Sequence, residues 1–283
     1  IRMLAESGKA DDGRAWTFWR DEYRLNTLIE EYPKPYVALI DGVTMGGGVG
    51  VSVHGEFRVA GDKTLFAMPE TGIGFHPDVG GAYFLPRLAG ELGVWMGLTG
   101  ARLKTADCIA SGVATHYVPT ERFGELIHAL EHESLDEHGD RIDALLDGFG
   151  ADAGESELGM RAPMIEAAFA GDDVGAIRSR LQEAGDAWSG KQASILNTKS
   201  PTSLAVTLSA LRRGADLSFR AVMEQDLRVS TRFLAAGSDF FEGVRAVILD
   251  KDNNPQWAQA AAPDQVETYF KPLPDDQEMT FLD

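Results

Sequence analysis

Three consecutive glycines, Gly46, Gly47 and Gly48, stand shortly after the apolar run YVALID at 36–41. The rigid Pro33-Lys34-Pro35 approach favours extended backbone, so 36–41 reads as a short buried strand. A strand that runs into glycines predicts a tight turn into a helix. There the backbone can come close to a ligand, and unpaired amides at the helix start can face an anion or a developing oxyanion. The run lacks the Lys and Ser/Thr of a Walker loop and does not sit in a GxGxxG register. Gly47 therefore reads either as an oxyanion donor or as part of a purely structural turn.

The rest of the first half alternates in the same way. A compact helix is expected to take in Val49, Val51, Ser52 and Val53, because 57–60 and 64–68 read as the next two strands with a Gly61-Asp62 turn between them. Pro69 ends the second strand, and a glycine-rich loop leads through Gly81 to helical stretches near 82–89 and 91–98. A helix over 105–111, closed by Gly112, and a strand over 113–118 complete the pattern. Strands alternating with helices predict an α/β layer architecture. After Pro119 the pattern turns helical over 121–190, with a weak linker at 148–154, and 201–236 predicts two long helices broken near Gly214. The expected division is a core over 1–120 and a helical extension over 121–283.

Chemistry concentrates in the loop PETGIGFHPDVGG. Its prolines and glycines limit wandering, so Glu70 and Asp78 can reach one cavity, where paired acids hold and deprotonate a water or divide acid and base roles. The alternative is that Asp78 caps the helix starting near Gly80 while Glu70 satisfies loop amides. His76, beside Pro77, invites an acid/base role but has no orienting partner visible in sequence. Glu22 lies on an amphipathic helix with Leu25 and Leu28 expected to face inward and Tyr23 near the boundary, and by pattern alone it is a solvated charge. The six histidines form no HExxH arrangement, which argues against a zinc or iron site.

Composition narrows the partners. With 26 basic and 44 acidic residues the formal charge is -18, which argues against nucleic acid or an anionic membrane surface. The single cysteine, Cys108, excludes an intrachain disulfide framework and a cysteine-rich zinc site, and reads as a core thiol in a reducing compartment. No stretch approaches the roughly 20 apolar residues needed to span a bilayer. The start at Ile1 has neither the basic residues nor the apolar run of a secretory signal, and further sequence upstream is expected.

The segments KPYVALIDGVTMGGGVG (34–50), FAMPETGIGFHPDVGGAYFLPRL (66–88), TGARLKTADCIASGVATHYV (99–118), NTKSPTSLAVTL (197–208) and FFEGVRAVILDKDNNPQW (240–257) together resemble the hydrolase branch of the crotonase superfamily. The resemblance implies a crotonase-like spiral core of ββα turns with a C-terminal helical region. It implies an acyl-CoA thioester as partner, hydrolysis of 3-hydroxyisobutyryl-CoA in valine catabolism, and 3-hydroxypropionyl-CoA as the second candidate substrate. Coenzyme A would be part of substrate and product, with no other cofactor and no metal. Gly47 falls on an oxyanion donor, Glu70 and Asp78 on the catalytic carboxylates, and Glu22 on a substrate-contacting position. The second oxyanion N–H is expected from a loop preceding Ile1. Hydratases of the superfamily usually carry a glutamate where this chain has Gly50 and a glycine where it has Asp78, so a two-glutamate hydration mechanism is disfavoured. His76 departs from the aromatic or other apolar residue usual before Pro77. The resemblance also implies a homotrimer or homohexamer, in the cytoplasm of a bacterium or the mitochondrial matrix of a eukaryote. An enoyl-CoA hydratase or isomerase, or a catalytically silent acyl-CoA-binding protein, is the alternative.

Overall fold

A computed structural model describes residues 1–132 and 139–282; residues 133–138, inside the stretch expected to be helical, lie outside it. The chain begins with α1 (Arg2–Ala10) and α2 (Arg14–Glu30). Next come β1 (Val37–Ile40), β2 (Val43–Met45), α3 (Gly47–Gly50), β3 (Phe57–Ala60) and β4 (Leu65–Ala67). After the site loop stand α4 (Gly81–Phe84), α5 (Leu92–Thr99), β5 (Leu103–Lys104), α6 (Thr105–Ser111) and β6 (His116–Tyr117).

The strands form two three-stranded sheets, ordered β1-β3-β6 and β2-β4-β5. All pairs are parallel except β4 with β5. Each ββ unit places its first strand in one sheet and its second in the other, so β3 and β4 flank the expected Gly61-Asp62 turn without pairing with each other. The corner is pinned by side chains: Thr64 Oγ1 donates to the Ile40 carbonyl (2.6 Å), and Thr105 Oγ1 donates to that of Gly61 (2.6 Å).

Beyond Pro119 the described residues contain helices and irregular segments. The helices are α7 (Phe123–His132), α8 (Asp140–Phe149), α9 (Leu158–Phe169), α10 (Val174–Glu183), α11 (Ala187–Asn197), α12 (Pro201–Gly214), α13 (Phe219–Arg232), α14 (Asp239–Val244) and α15 (Pro263–Thr268). Leu126 of α7 and Ile142 and Leu146 of α8 cover Phe57 and Val59 of β3 in a small separate core. Each fully buried leucine there contributes about 1.5–3 kcal/mol. The main core runs unbroken from α1 through α5 to α13 and α14, so the later helices share the interior of the sheet region.

The expected helix through Val53 is shorter: α3 stops at Gly50 and a turn carries the chain to β3. The last strand occupies only His116–Tyr117 of the expected 113–118. A larger correction concerns α2. Leu25 and Leu28 are 44% and 48% exposed, and the buried stripe is Ala15, Trp19, Tyr23 and Asn26. Both stripes of this helix carry apolar residues. The packing of α13 against α2 selects the one with the larger aromatic rings, which bury more apolar area.

Candidate active site

The glycine run places its backbone between two carboxylates. Gly46 adopts a positive φ of 54° as the residue before α3, a conformation that favours glycine. A Cβ on Gly47 would stand 2.9 Å from Glu22 Oε1, and one on Gly46 would stand 3.8 Å from Glu70 Oε1. Gly47 is exposed, and its N–H, in the first turn of α3, has no intrahelical acceptor. Backbone close to two acids, with an amide free to donate, is a geometry for binding a polarised carbonyl.

Glu70 begins a 3-10 turn, Glu70–Ile73, directly after Pro69. Its carbonyl accepts from Phe75 N–H (3.1 Å), while its side chain is buried and Oε2 has no hydrogen-bond partner among the described residues. That oxygen is therefore not spent on loop amides. Asp78 does not cap α4 through its side chain either; its backbone carbonyl accepts from Gly81 N–H, whereas Oδ2 accepts from the Tyr23 hydroxyl at 2.9 Å. Tyr23, expected near a boundary, is fully buried.

The segment after Asp78 is strained and clamped. Val79 has φ 49°, unfavourable for a β-branched residue. The conformation is held by His54, whose Nε2–H donates to the Val79 carbonyl (2.7 Å), and by Asp226 of α13, whose Oδ2 accepts from Gly80 N–H (2.9 Å). His76 is completely buried, stacked on Phe233 with 5.7 Å between ring centroids, and its Nε2 lies 2.9 Å from Ser230 Oγ.

Electrostatically the site is a nest of carboxylates with raised proton affinity. Burial, then the Asp78 charge, pushes Glu70 well above the ordinary range, and Lys199 opposes the rise. Burial raises Asp78 to about 6, against the hydrogen bond from Tyr23. Glu22, half-buried, is pushed up to about 8 by burial and then by Asp78. The reading of Glu22 as a solvated charge is thus corrected: its carboxylate lies over Gly47 and is partly withdrawn from water. Burial lowers His54 to about 4 and His76 to about 3, so both imidazoles are neutral at pH 7 and neither serves as a cationic acid.

All four expected positions, Glu22, Gly47, Glu70 and Asp78, meet in one region. Tyr23, Asp226, Ser230, Asn26 and Lys199 escaped the sequence reading. A signal existed for two of them: Asp226 and Ser230 stand one turn apart on the apolar stripe of α13, where polar residues need a reason. Lys199 lies within the NTKSP segment, and its Nζ is 3.3 Å from where a Cβ on Gly72 would stand. Among the described residues no group of three or more His, Cys, Asp or Glu is arranged to hold a metal ion. A separate 440 Å³ cavity, lined among others by Leu92, Leu158, Ile165 and Glu166, contains none of these carboxylates.

A buried carboxylate beside an unpaired backbone amide suits attack at an activated carbonyl. The chain is 44% identical over 281 residues to the mitochondrial 3-hydroxyisobutyryl-CoA hydrolase of Xenopus tropicalis, covering 96% of this chain and 73% of that protein. A carnitinyl-CoA dehydratase from Mycobacterium thermoresistibile superposes with a TM-score of 0.89 at 42% identity, covering 99% of this chain and 79% of the other. An enoyl-CoA hydratase from Rhodobacter sphaeroides 2.4.1 gives a TM-score of 0.88 at 36% identity, covering 99% and 81%. The two structures establish the crotonase fold, a mixed β/α core followed by helices. The Enoyl-CoA hydratase/isomerase family profile matches residues 1–270, and the chain belongs to that family.

Proposed function

We propose that this chain hydrolyses 3-hydroxyisobutyryl-CoA to 3-hydroxyisobutyrate and CoA. The observation that carries the reading is the buried pair Glu70 and Asp78 beside the Gly47 amide, in a chain so similar to a hydrolase of that substrate. In this mechanism the Gly47 N–H donates to the thioester oxygen. Glu70 acts at the carbonyl carbon, either attacking to form a mixed anhydride that water then cleaves, or taking the proton of a water that attacks directly. The C–S bond breaks, thiol leaves and the carboxylic acid remains. A carboxylate whose proton affinity is raised by burial is the stronger base once ionised, which suits Glu70 to either step. Asp78, held by Tyr23, positions the water or the β-hydroxyl. Glu22 keeps its proton at neutral pH and so donates a hydrogen bond to the polar acyl end.

The dehydratase and hydratase structures favour a second reading, addition or loss of water across a double bond. Space at Gly50 weighs against its two-glutamate form: a Cβ there would come within 2.7 Å of Asn26 Nδ2 and 2.8 Å of Val79 Cβ. Chromatography of the products after incubation with 3-hydroxyisobutyryl-CoA separates the two, since only hydrolysis releases free thiol. Glu70→Gln should lower thiol release by about 10²–10⁴-fold with the fold intact; a folded variant with near-normal kcat/KM sinks the assignment. In a eukaryotic cell the proposed compartment is the mitochondrial matrix, where the related hydrolase's name places it in the mitochondrion, and in a bacterium the cytoplasm. The proposed assembly is a trimer or hexamer, which sedimentation tests directly.

A further inference from the structure

We propose that His76, Ser230 and Tyr23 form a one-directional chain of hydrogen-bond donors that positions Asp78, with His76 as its anchor. The idea rests on the assignment of Asp78 to the hydrolytic site.

The Tyr23 hydroxyl lies 2.9 Å from Asp78 Oδ2 and 2.7 Å from Ser230 Oγ, and Ser230 Oγ lies 2.9 Å from His76 Nε2. All four residues are buried, and they come from α2, the site loop and α13. The direction of every bond follows from the number of protons. An ionised carboxylate only accepts, so the Tyr23 proton points at Asp78. The tyrosine oxygen is then left to accept, and the Ser230 proton points at it. The serine oxygen in turn accepts from His76, so Nε2 carries the imidazole proton. Burial keeps the ring neutral, which makes this tautomer available. Stacking on Phe233 and contact with Phe75, at 4.7 Å between ring centroids, hold the anchor against rotation.

Such a chain acts where the local charges are unfavourable. Asp78 faces Glu22 and Tyr23 from α2, Glu70 from its own loop and Asp226 from α13. Among these acidic neighbours, the tyrosine O–H is the side chain that favours the ionised form of Asp78, beside a backbone hydrogen bond, and donors aligned behind it polarise it further. The same chain couples the placement of Asp78 to the seating of α13 on α2. His76 thereby gains a positioning role that its burial alone does not reveal.

The test follows the Asp78 carboxyl by ¹³C NMR titration and the His76 ring nitrogens by ¹⁵N NMR in the whole chain, together with the pH profile of thiol release from 3-hydroxyisobutyryl-CoA. Wild type should show Nε2–H at His76. Tyr23→Phe should raise the Asp78 midpoint by about one unit or more. Ser230→Ala and His76→Phe should raise it by successively smaller amounts, and His76→Gln, whose amide can still donate to Ser230, should restore it. The acid limb of kcat/KM should move upward with the midpoint. Unchanged midpoints accompanied only by lower melting temperatures would overturn the chain, as would an Nδ1–H tautomer in wild type. If Tyr23→Phe does not fold, the contrast between His76→Phe and His76→Gln decides. Midpoints that move in this order in a protein that releases no thiol would uphold the chain and remove the hydrolase reading; thiol release with fixed midpoints would do the reverse.

Discussion

Gly47 and Glu22 share one small volume, and their relation shows how a residue can matter to chemistry more than to folding. A Cβ at position 47 would meet Glu22 Oε1 at 2.9 Å, the far end of a flexible side chain. The backbone can therefore accept Gly47→Ala while the carboxylate swings away. Under the proposed mechanism this variant should melt within a few degrees of wild type yet lose about tenfold to a thousandfold in kcat/KM, because Glu22 is displaced and the added methyl crowds the approach to the amide. Parallel thermal melts and thiol-release assays check this; a large loss of stability with unchanged activity per folded molecule would contradict it. Asp78→Asn keeps an acceptor for Tyr23 but removes the charge. A drop in kcat of about tenfold to a thousandfold is expected, measured at saturating substrate so that it is separated from weaker binding.

At the scale of elements, α12 and the turn carrying Glu70 are joined through one serine. Ser200 Oγ accepts from Ser203 N–H (3.0 Å) as the cap of α12 and donates to buried Asp239 Oδ2 (2.6 Å), while Ser200 N–H donates to the Thr71 carbonyl (3.3 Å). Ser200→Ala removes the cap and leaves a buried carboxylate oxygen without that partner. The expected loss is about 2–4 kcal/mol, read from urea unfolding. An unchanged midpoint and slope would mean that Asp239, whose Oδ1 accepts from Ala258 N–H (2.8 Å), finds a replacement partner there. The elements also show why some local readings held. The helix over Thr105–Ser111 with Gly112 in the left-handed region follows from capping chemistry that neighbours do not alter. The inward face of α2 could not be settled in that way, because both of its stripes carry apolar side chains.

For the whole molecule, the buried carboxylates set a stability that depends on pH. Asp78 and Glu22 have folded pKa values of about 6 and about 8, above the ordinary 3.8 and 4.5, so the folded chain binds these protons more tightly than the unfolded one. Their contribution is complete below the unfolded values and is lost as pH rises through the folded ones. The opposite sign holds for Asp12, Asp62 and Glu242, whose partners depress their pKa values; that stability is lost only as pH falls through the acid range. The ligand-free protein is therefore expected to melt at a higher temperature near about pH 5.5 than near about pH 8.5. Glu22→Gln should flatten that slope by removing one of the buried groups that ionise across it. Differential scanning calorimetry across the range checks both, and a melting temperature that climbs from neutral to alkaline pH would contradict the burial of these charges.

What the sequence determined by itself was whatever depends on a few consecutive residues. The strand over Val37–Ile40, the turn at Gly46, the helix closed by Gly112 and the two long helices around 201–236 are written in local propensity and capping, whereas β2, between that strand and the glycines, was not foreseen. The positions of Glu22, Gly47, Glu70 and Asp78 were legible through distributed motifs, although by pattern alone Glu22 read as a surface charge. Only the tertiary structure decided which stripe of α2 is buried, that Tyr23 bridges Asp78 and Ser230 of a distant helix, and that Gly50 is closed off by Asn26 and Val79. The physical reason is that burial and hydrogen bonding between helices far apart in sequence arise from packing. A polar residue on an apolar stripe tells the reader that a partner is needed, while the fold alone says which partner it is.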